Sequence, residues 1–188
     1  MIESIRNCEK CELCKNQCPL LETCTHCQVI WVGLSAKKVK VDGEGPLSTE
    51  TNSGKHIKIV EDACNGISTY KTNLVKCLPL NDKNKLRYPN RIEIENCICN
   101  LMDEIDYLQP RIVFLLGEKV YSAVGKCIKV RFEKWNGFEY SYKECNGVYY
   151  VPVHHPSYIS VYKRKNIDMY IQGIKKVIDE LVQADDDV

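Results

Sequence analysis

The sequence predicts an α/β fold of three layers, α/β/α, with a central parallel sheet of four strands and a cysteine-rich, metal-bound loop at the N-terminus. Short runs of β-branched and aromatic residues alternate with segments whose apolar residues recur at helical spacing. Strands that alternate with helices form a parallel sheet that is covered on both faces. Six cysteines fall within residues 8–27, where periodic apolar positions are few, so this segment is expected to be a loop organised by metal.

Each of the four strands is predicted from a compact apolar run. The first, residues 29–33, reads Val-Ile-Trp-Val-Gly and ends at its glycine. The second and third cover residues 70–75 and 111–116. The fourth covers residues 148–151, and Pro152 is expected to end it because proline cannot donate a backbone hydrogen bond.

Three helices are predicted between and after the strands. The first spans residue 55 to about residue 65 and follows a turn-rich connection at residues 34–54, a loop length typical of functional segments. The other two have their apolar residues on one face. These are Ile94, Ile98, Leu101, Ile105 and Leu108 in one, and Ile167, Ile171, Ile174, Ile178 and Leu181 in the other. The acidic tail at residues 184–188 is expected to fray.

The composition limits the class of protein. A chain of 188 residues with 44% hydrophobic content buries one sizeable core, so residues 1–188 are expected to form a single domain. No run of 18 apolar residues is present, and the first residues lack the apolar core of a signal peptide. We therefore expect a cytoplasmic, monomeric protein without a membrane partner. In that reducing compartment twelve cysteines indicate metal binding or redox chemistry rather than disulfides.

The net charge of +1 does not by itself indicate a nucleic-acid partner. Basic residues nevertheless gather in three patches, each beside a strand end or a helix start. One patch alone is typical of a solvated loop, whereas three on one edge of the sheet would indicate nucleic acid. The patches are Lys37, Lys38 and Lys40; Lys83, Lys85, Arg87 and Arg91; and Lys163, Arg164 and Lys165.

Four cysteines are placed as ligands of a metal centre. Cys8 and Cys11 form a Cys-x-x-Cys pair, Cys77 ends the second strand, and Cys97 lies in a helical pattern. Thiolates so far apart in the chain form a tertiary iron–sulfur or zinc site. The cysteines most simply explained as small, buried apolar residues are Cys64, Cys99, Cys127 and Cys145.

The cysteine pattern also fits two different classes of protein, and both stay open. Residues 8–19 match the ferredoxin run C-x₂-C-x₂-C-x₃-C-P, although the second copy that a two-cluster electron carrier needs is missing. A zinc-organised DNA-binding module without catalysis would instead use Cys14, Cys18, Cys24 and Cys27. Metal content separates these classes, since a single cluster has about four irons, a ferredoxin of this type about eight, and the module zinc without iron.

Ligands of doubly wound folds bind at the carboxyl ends of the strands, which selects residues 34–38, 73–77, 117–118 and 154–157. Four motifs overlap these segments. They read Val-Gly-Leu-Ser-Ala at 32–36, Thr-Asn-Leu-Val-Lys-Cys at 72–77, Leu-Leu-Gly at 115–117 and His-Pro-Ser at 155–157. In this order and spacing they resemble the uracil-DNA glycosylase superfamily, particularly its iron–sulfur branches. The resemblance implies a DNA glycosylase that acts on single- or double-stranded DNA. It also implies a [4Fe–4S] cluster held by Cys8, Cys11, Cys77 and Cys97.

The chain combines features of two iron–sulfur branches: its first loop departs from family 4, whereas Asn73 after Thr72 resembles the family 4 pattern. Leu34 stands where family 4 has a carboxylate, and the loop is similar to that of family 5, whose carboxylate comes later in the chain. By position Glu50 is its counterpart here, with Asp42 and Glu44 as rivals. Leu47 stands where these families often place a phenylalanine that stacks on the base. We therefore expect uracil or another damaged or modified pyrimidine, including a hypermodified viral base.

The resemblance assigns roles to the site residues. Glu50 would stabilise the positively charged sugar or orient water. His155, with His154 as its alternative, would donate to the base as it becomes anionic, and Asn73 would read the base edge. The residues expected to contact the substrate are Leu34, Ser35, Leu47, Asn73, His154 and Ser157.

The segment after His-Pro-Ser departs from the superfamily as well. Members of the superfamily insert a wedge into the minor groove here, and their Leu-Arg pair is replaced by Ser160 and Val161. The preference between duplex and easily opened DNA therefore stays open.

Overall fold

A computed structural model describes residues 2–40, 43–64 and 66–182. The strands are β1 (Val29–Ser35), β2 (Thr69–Val75), β3 (Ile112–Leu116), β4 (Lys143–Cys145) and β5 (Val148–Val153). The helices are α1 (Ile2–Arg6), α2 (Asn52–Ala63), α3 (Arg91–Leu108), α4 (Glu118–Ile128), α5 (Pro156–Tyr162) and α6 (Ile167–Val182). Two 3₁₀ turns lie at Glu12–Lys15 and Arg164–Asn166, the first within the segment expected to be a loop. The acidic tail lies outside the described residues.

The sheet has the strand order β2-β1-β3-β5-β4. The first four strands in that order run parallel, and β4 pairs antiparallel with β5 at the edge. The expectation of four parallel strands therefore holds for the core of the sheet, and the edge strand adds a fifth.

Pro152 does not end the last strand, and the prediction that it would is wrong. It lies within β5, where it pairs in register with Leu115 of β3. On the other side of β5, the paired positions of β4 extend only to Tyr150. Pro152 thus lies beyond the end of β4, at the kind of edge position that tolerates a missing N–H.

Side chains from the strands alternate between two separate cores. Val29 and Trp31 join the core beneath α2, α5 and α6, whereas Ile30 and Val32 join the core beneath α3 and α4. Trp31 stacks on Phe114 with ring centroids 4.5 Å apart. Burial on both faces explains why these strands are continuous apolar runs, and it confirms the three-layer α/β/α architecture.

Three of the four cysteines that were expected to be buried are not. Cys64 is buried, but Cys99 and Cys127 are exposed and Cys145 is half-buried. Cys99 lies off the buried stripe of α3, which passes through Cys97, Leu101 and neighbouring positions.

Candidate functional site

The carboxyl ends of four parallel strands form one edge of the sheet, and the residues singled out by the motifs lie there. Leu34 and Ser35 end β1 and are half-buried. Asn73 lies near the end of β2, directly opposite Gly33 of β1. Because neighbouring strands lie ~4.8 Å apart, the ends of β2 and β5 lie roughly 14 Å apart in this strand order. The ends of β1 and β3 lie between them, so the candidate residues are spread along one edge of the sheet.

Gly33 is the point at which two of the predicted substrate-contacting side chains meet. A Cβ atom on Gly33 would lie 2.4 Å from Asn73 Oδ1 and 3.1 Å from Leu47 Cδ2. Asn73 is only 3% exposed, and its side-chain amide has no hydrogen-bond partner in the described part of the chain. The side-chain amide of Asn73 and the apolar side chain of Leu47 therefore meet next to the backbone of Gly33, which has no side chain.

The loop that carries Leu47 is anchored by Glu44. The Glu44 carboxylate pairs with Lys37, and it accepts hydrogen bonds from Ser48 Oγ at 2.6 Å and from the Lys40 N–H at 2.9 Å. These bonds, led by the one from Lys37, lower the pKa of Glu44 to about 2. As a rival for the catalytic carboxylate, Glu44 is thus already engaged, and Asp42 lies outside the described residues.

A glycine of α2 anchors the same loop from below. A Cβ on Gly54 would lie 2.0 Å from the Ser48 carbonyl oxygen and 2.3 Å from that of Leu47. The backbone of Leu47 is in the left-handed region, with φ of 50°, a conformation that residues other than glycine rarely adopt. The position of Leu47 is therefore held by backbone packing as well as by Glu44.

Glu50 lies in the turn just before α2 and is exposed. Within the described ranges its carboxylate has no ion pair or hydrogen bond. Thr51, the next residue, caps the helix by accepting from the Gly54 N–H at 3.0 Å. Glu50 is therefore a free carboxylate close to a helix N-terminus, where negative charge is stabilised.

His155 is held in one tautomer by the helix that follows it. As the N-cap of α5, its Nδ1 accepts from the Ser157 N–H at 3.2 Å and from Ser157 Oγ at 2.7 Å. Because Nδ1 accepts, the neutral ring has its proton on Nε2. Burial lowers the pKa of His155, so the ring stays neutral and Nε2–H is the available donor. Gly117, with φ of 91°, lies against the His155 Cβ.

His154 is surrounded by aromatic rings rather than held at a helix end. Its centroid lies 4.4 Å from that of Trp135 and 5.9 Å from that of Tyr158, with which it stacks at 10°. Its Nδ1 is 3.0 Å from the hydroxyl of Tyr140. Burial, with a smaller effect of Lys163, lowers the pKa of His154 to about 4. The contacts fix the tautomer of His155, because the Ser157 N–H can only donate to its Nδ1, whereas the Tyr140 hydroxyl can donate to or accept from Nδ1 of His154.

All four predicted metal ligands line one cavity between the N-terminal segment, β2 and α3. Cys8, Cys11, Cys77 and Cys97 lie in its wall, together with Cys14. Cys18, Cys24 and Cys27 do not, so the proposed zinc set is divided between this cavity and its surroundings. Among the described residues, no group of three or more His, Cys, Asp or Glu side chains is arranged to hold a single metal ion.

The donor set fits an iron–sulfur cluster. Burial, and next the neighbouring Cys97 thiol, raises the pKa of Cys77 to about 12, and burial also raises the pKa of Cys97. Such thiols become thiolates only when a cation binds them. Hydrogen-bond donors already face the sulfurs: the Lys76 N–H lies 3.4 Å from Cys97 Sγ, and Asn100 Nδ2 lies 3.4 Å from Cys8 Sγ. Donors of this kind tune and stabilise cluster thiolates.

Comparison with known proteins identifies the family. The profile described as "Uracil DNA glycosylase superfamily" matches residues 32–181. The chain belongs to the uracil DNA glycosylase superfamily. The Type-4 uracil-DNA glycosylase of Pyrobaculum aerophilum is 29% identical to it over an alignment of 154 residues, and the alignment covers 69% of this chain and 72% of that protein. The crystal structure of wild-type SMUG2 from Pedobacter heparinus has the same fold, with a TM-score of 0.54 and 14% identity over 84% of this chain and 77% of that one.

Membership in this superfamily confirms the resemblance drawn from the four motifs. Of the three basic patches, only Lys37, Lys38 and Lys40 follow a strand directly; the second lies in the connection between β2 and α3 and at the start of α3, and the third follows α5. Arg87 and Arg91 are paired with Glu93 and Glu95, and Lys37 with Glu44. Within the three patches, the residues that have no ion pair in the described ranges are Lys38, Lys40, Lys83, Lys85, Lys163, Arg164 and Lys165. Across these same ranges, no helix has the length and apolar character that a membrane span requires.

A buried ion pair behind the site was not predicted from the sequence. Lys76 is 1% exposed and Glu104 0%. Lys76 Nζ pairs with Glu104 and donates to Thr72 Oγ1 at 2.8 Å and to the Asn73 carbonyl at 2.7 Å. Glu104 also accepts from the Tyr70 hydroxyl at 2.9 Å. Lys76 thus connects the backbone of Asn73 to the wall of the cysteine cavity.

Proposed function

We propose that this protein is a DNA glycosylase that hydrolyses the N-glycosidic bond of uracil or another modified pyrimidine and leaves an abasic site. The observation that carries the proposal is the meeting of the Asn73 amide and Leu47 at Gly33. The amide offers both a donor and an acceptor to the edge of a base, while Leu47 offers apolar contact to its face. Membership in the superfamily supports the reaction class.

The chemistry needs opposite charges to be stabilised at the two ends of the breaking bond. As the bond between C1′ and the base nitrogen breaks, its electron pair leaves with the base and the sugar becomes positive. Water then supplies a hydroxyl group to C1′ and a proton to the base. His155 Nε2–H would donate to the base oxygen that becomes negative. Glu50 would face the sugar or the water.

The proposed cofactor is a [4Fe–4S] cluster held by Cys8, Cys11, Cys77 and Cys97. When bound, it would join the N-terminal segment to β2 and α3, and bond hydrolysis requires no electron transfer from it. Gln17 extends this connection, because its amide donates to the Lys37 carbonyl at 3.1 Å and accepts from the Val39 N–H at 3.1 Å. The cysteine-rich segment therefore supports the loop after β1.

The test is mass-spectrometric detection of free base and abasic sites after incubation with DNA. Anaerobically purified protein would be given DNAs that contain uracil, deaminated purines, or modified and glucosylated cytosines. Release of one base, lost in His155→Ala and Glu50→Gln and kept in the exposed-surface control Glu9→Gln, supports the proposal. Binding of DNA without release from any substrate would favour the non-catalytic module instead.

A further inference from the structure

One side of α5 presents large apolar side chains to solvent. Tyr158, Val161 and Tyr162 are 41%, 67% and 72% exposed. They stand at positions i, i+3 and i+4, so they share one face of the helix, while Pro156 and Ile159 are buried on the other. A cluster of exposed large apolar side chains marks an interaction surface.

The two tyrosine rings are pre-positioned. Their centroids lie 5.3 Å apart with planes tilted by 37°. Tyr158 is stacked on His154, which Tyr140 and Trp135 hold from behind. One ring is therefore fixed against the protein, and Tyr162 extends from it toward solvent.

The charged residues directly after α5 have a single sign, and the exposed Asp168 is the first acidic residue that follows them. Lys163, Arg164 and Lys165 follow α5 directly, are exposed, and have no ion pair in the parts of the chain that the structure describes. No acidic residue occurs between Pro156 and Ile167. Aromatic rings next to unpaired cations are the combination with which proteins bind single-stranded nucleic acid, the rings stacking on bases and the cations facing phosphates.

We propose that α5 is a stacking platform for single-stranded DNA, formed by Tyr158 and Tyr162 with the basic segment 163–165. This inference rests on the proposed function, because His155 is the N-cap of α5 and the helix would hold the nucleotides that flank the target base. A wedge enters a duplex as an apolar side chain with a base on either side of it, whereas one face of Tyr158 is already stacked on His154. A pair of broad, tilted rings instead matches bases whose faces are already free. The platform makes single-stranded DNA the preferred substrate.

The test compares binding of a fluorescein-labelled single-stranded oligonucleotide with binding of its duplex, both without modified bases. Tyr162→Ala is the main variant because its ring is largely exposed, and Tyr158→Phe and Tyr162→Phe retain the rings. Tyr107→Ala is the matched control, since Tyr107 is an exposed tyrosine on α3, across the sheet. We expect Tyr162→Ala to weaken single-strand binding about tenfold and to leave duplex binding nearly unchanged. The Phe variants and Tyr107→Ala should bind like wild type.

Several outcomes would overturn the platform. These are wild-type preference for duplex, equal losses on both DNAs, or unchanged binding in a folded Tyr162→Ala. Loss of a dimer in Tyr162→Ala by size-exclusion chromatography, with DNA binding unchanged, would assign the face to a second copy. The readout is independent of base release. If the wild type binds single strands through Tyr162 but releases no base, the platform stands and the proposed function fails. If Tyr162→Ala releases base equally from both DNAs, the proposed function stands and the platform fails.

Discussion

Asn73 Oδ1 lies so close to Gly33 that a Cβ atom on Gly33 would come within 2.4 Å of it. The two residues are partners in register on β1 and β2, so their approach is set by the sheet rather than by a loop. Leu47 reaches the same point from the anchored loop before α2. The absence of a side chain at Gly33 is therefore what allows an amide and an apolar side chain to share the end of the sheet.

Gly33→Ala is expected to reduce base release by about 10–100-fold, because displacement of a positioning group by a fraction of an ångström to an ångström costs rate in this range. The protein should stay folded, because the atoms that the new Cβ would meet belong to the side chains of Asn73 and Leu47, which can move, and not to the backbone. Steady-state rates and thermal unfolding would measure both effects. Gly45→Ala is the control, because its Cβ would meet only the Glu22 side chain, at ordinary contact distances of 3.6 Å to Cγ and 3.9 Å to Oε1. Equal activity of the two variants would contradict the assigned pocket.

The pH dependence should report on His155. Burial lowers the pKa of this ring, so the neutral form that accepts from Ser157 and donates through Nε2 persists as the pH falls through 6.5. Base release should therefore be retained from pH 8 down to pH 6.5 and decline only at lower pH, where the ring becomes protonated. Rates would be measured as kcat/KM against pH, with iron content checked at each point. A decline centred at or above pH 6.5 that is absent in His155→Gln would contradict this role.

Cys77→Ser should give colourless, poorly folded protein, because Cys77 is buried in the wall of the cysteine cavity and loss of a ligand removes folding free energy. Wild type purified without oxygen should contain about four irons per chain. Cys127→Ser, at an exposed position outside that cavity, should retain the iron. Cys14→Ser tests which cysteines in the cavity are ligands, since Cys14 lines the cavity but is not an assigned ligand; it should therefore retain the iron. A soluble, fully active and iron-replete Cys77→Ser would disprove the ligand set.

Much of the fold follows from local sequence patterns. β1, β2 and β3 were predicted to within two residues, because buried parallel strands are continuous apolar runs. β4 was missed because Lys-Glu-Cys has no strand pattern and forms a strand only by pairing with β5. Pro152 was misinterpreted for a related reason, since whether a strand tolerates proline depends on where its neighbour ends.

Candidate site residues could be selected from the sequence where a motif carries them, but not where the arrangement depends on contacts between distant residues. The sequence selected Asn73, Leu47 and His155, yet it did not show that Gly33 brings the first two together. It left Glu44 and Glu50 as alternatives, and only the hydrogen bonds of Glu44 distinguish them. Glu104 is 28 residues from its partner Lys76, and no local pattern indicates that a carboxylate in α3 is paired with a lysine in the turn after β2.

Removing one partner of the buried ion pair between Lys76 and Glu104 should destabilise the protein strongly, whereas replacing both partners by uncharged residues should destabilise it less. Glu104→Gln or Lys76→Met alone leaves a buried charge without its partner, and each is expected to reduce the free energy of unfolding by about 3–5 kcal/mol. The double variant, which removes both charges, should lose clearly less than the sum of the two. Urea unfolding of iron-replete protein would measure this. Asp62→Asn, which breaks the exposed pair of Asp62 with Lys58, is the surface control and should be close to wild type. If both single variants are as stable as that control, the pair does not hold β2 against α3, and the connection from the cysteine cavity to Asn73 must run through other contacts.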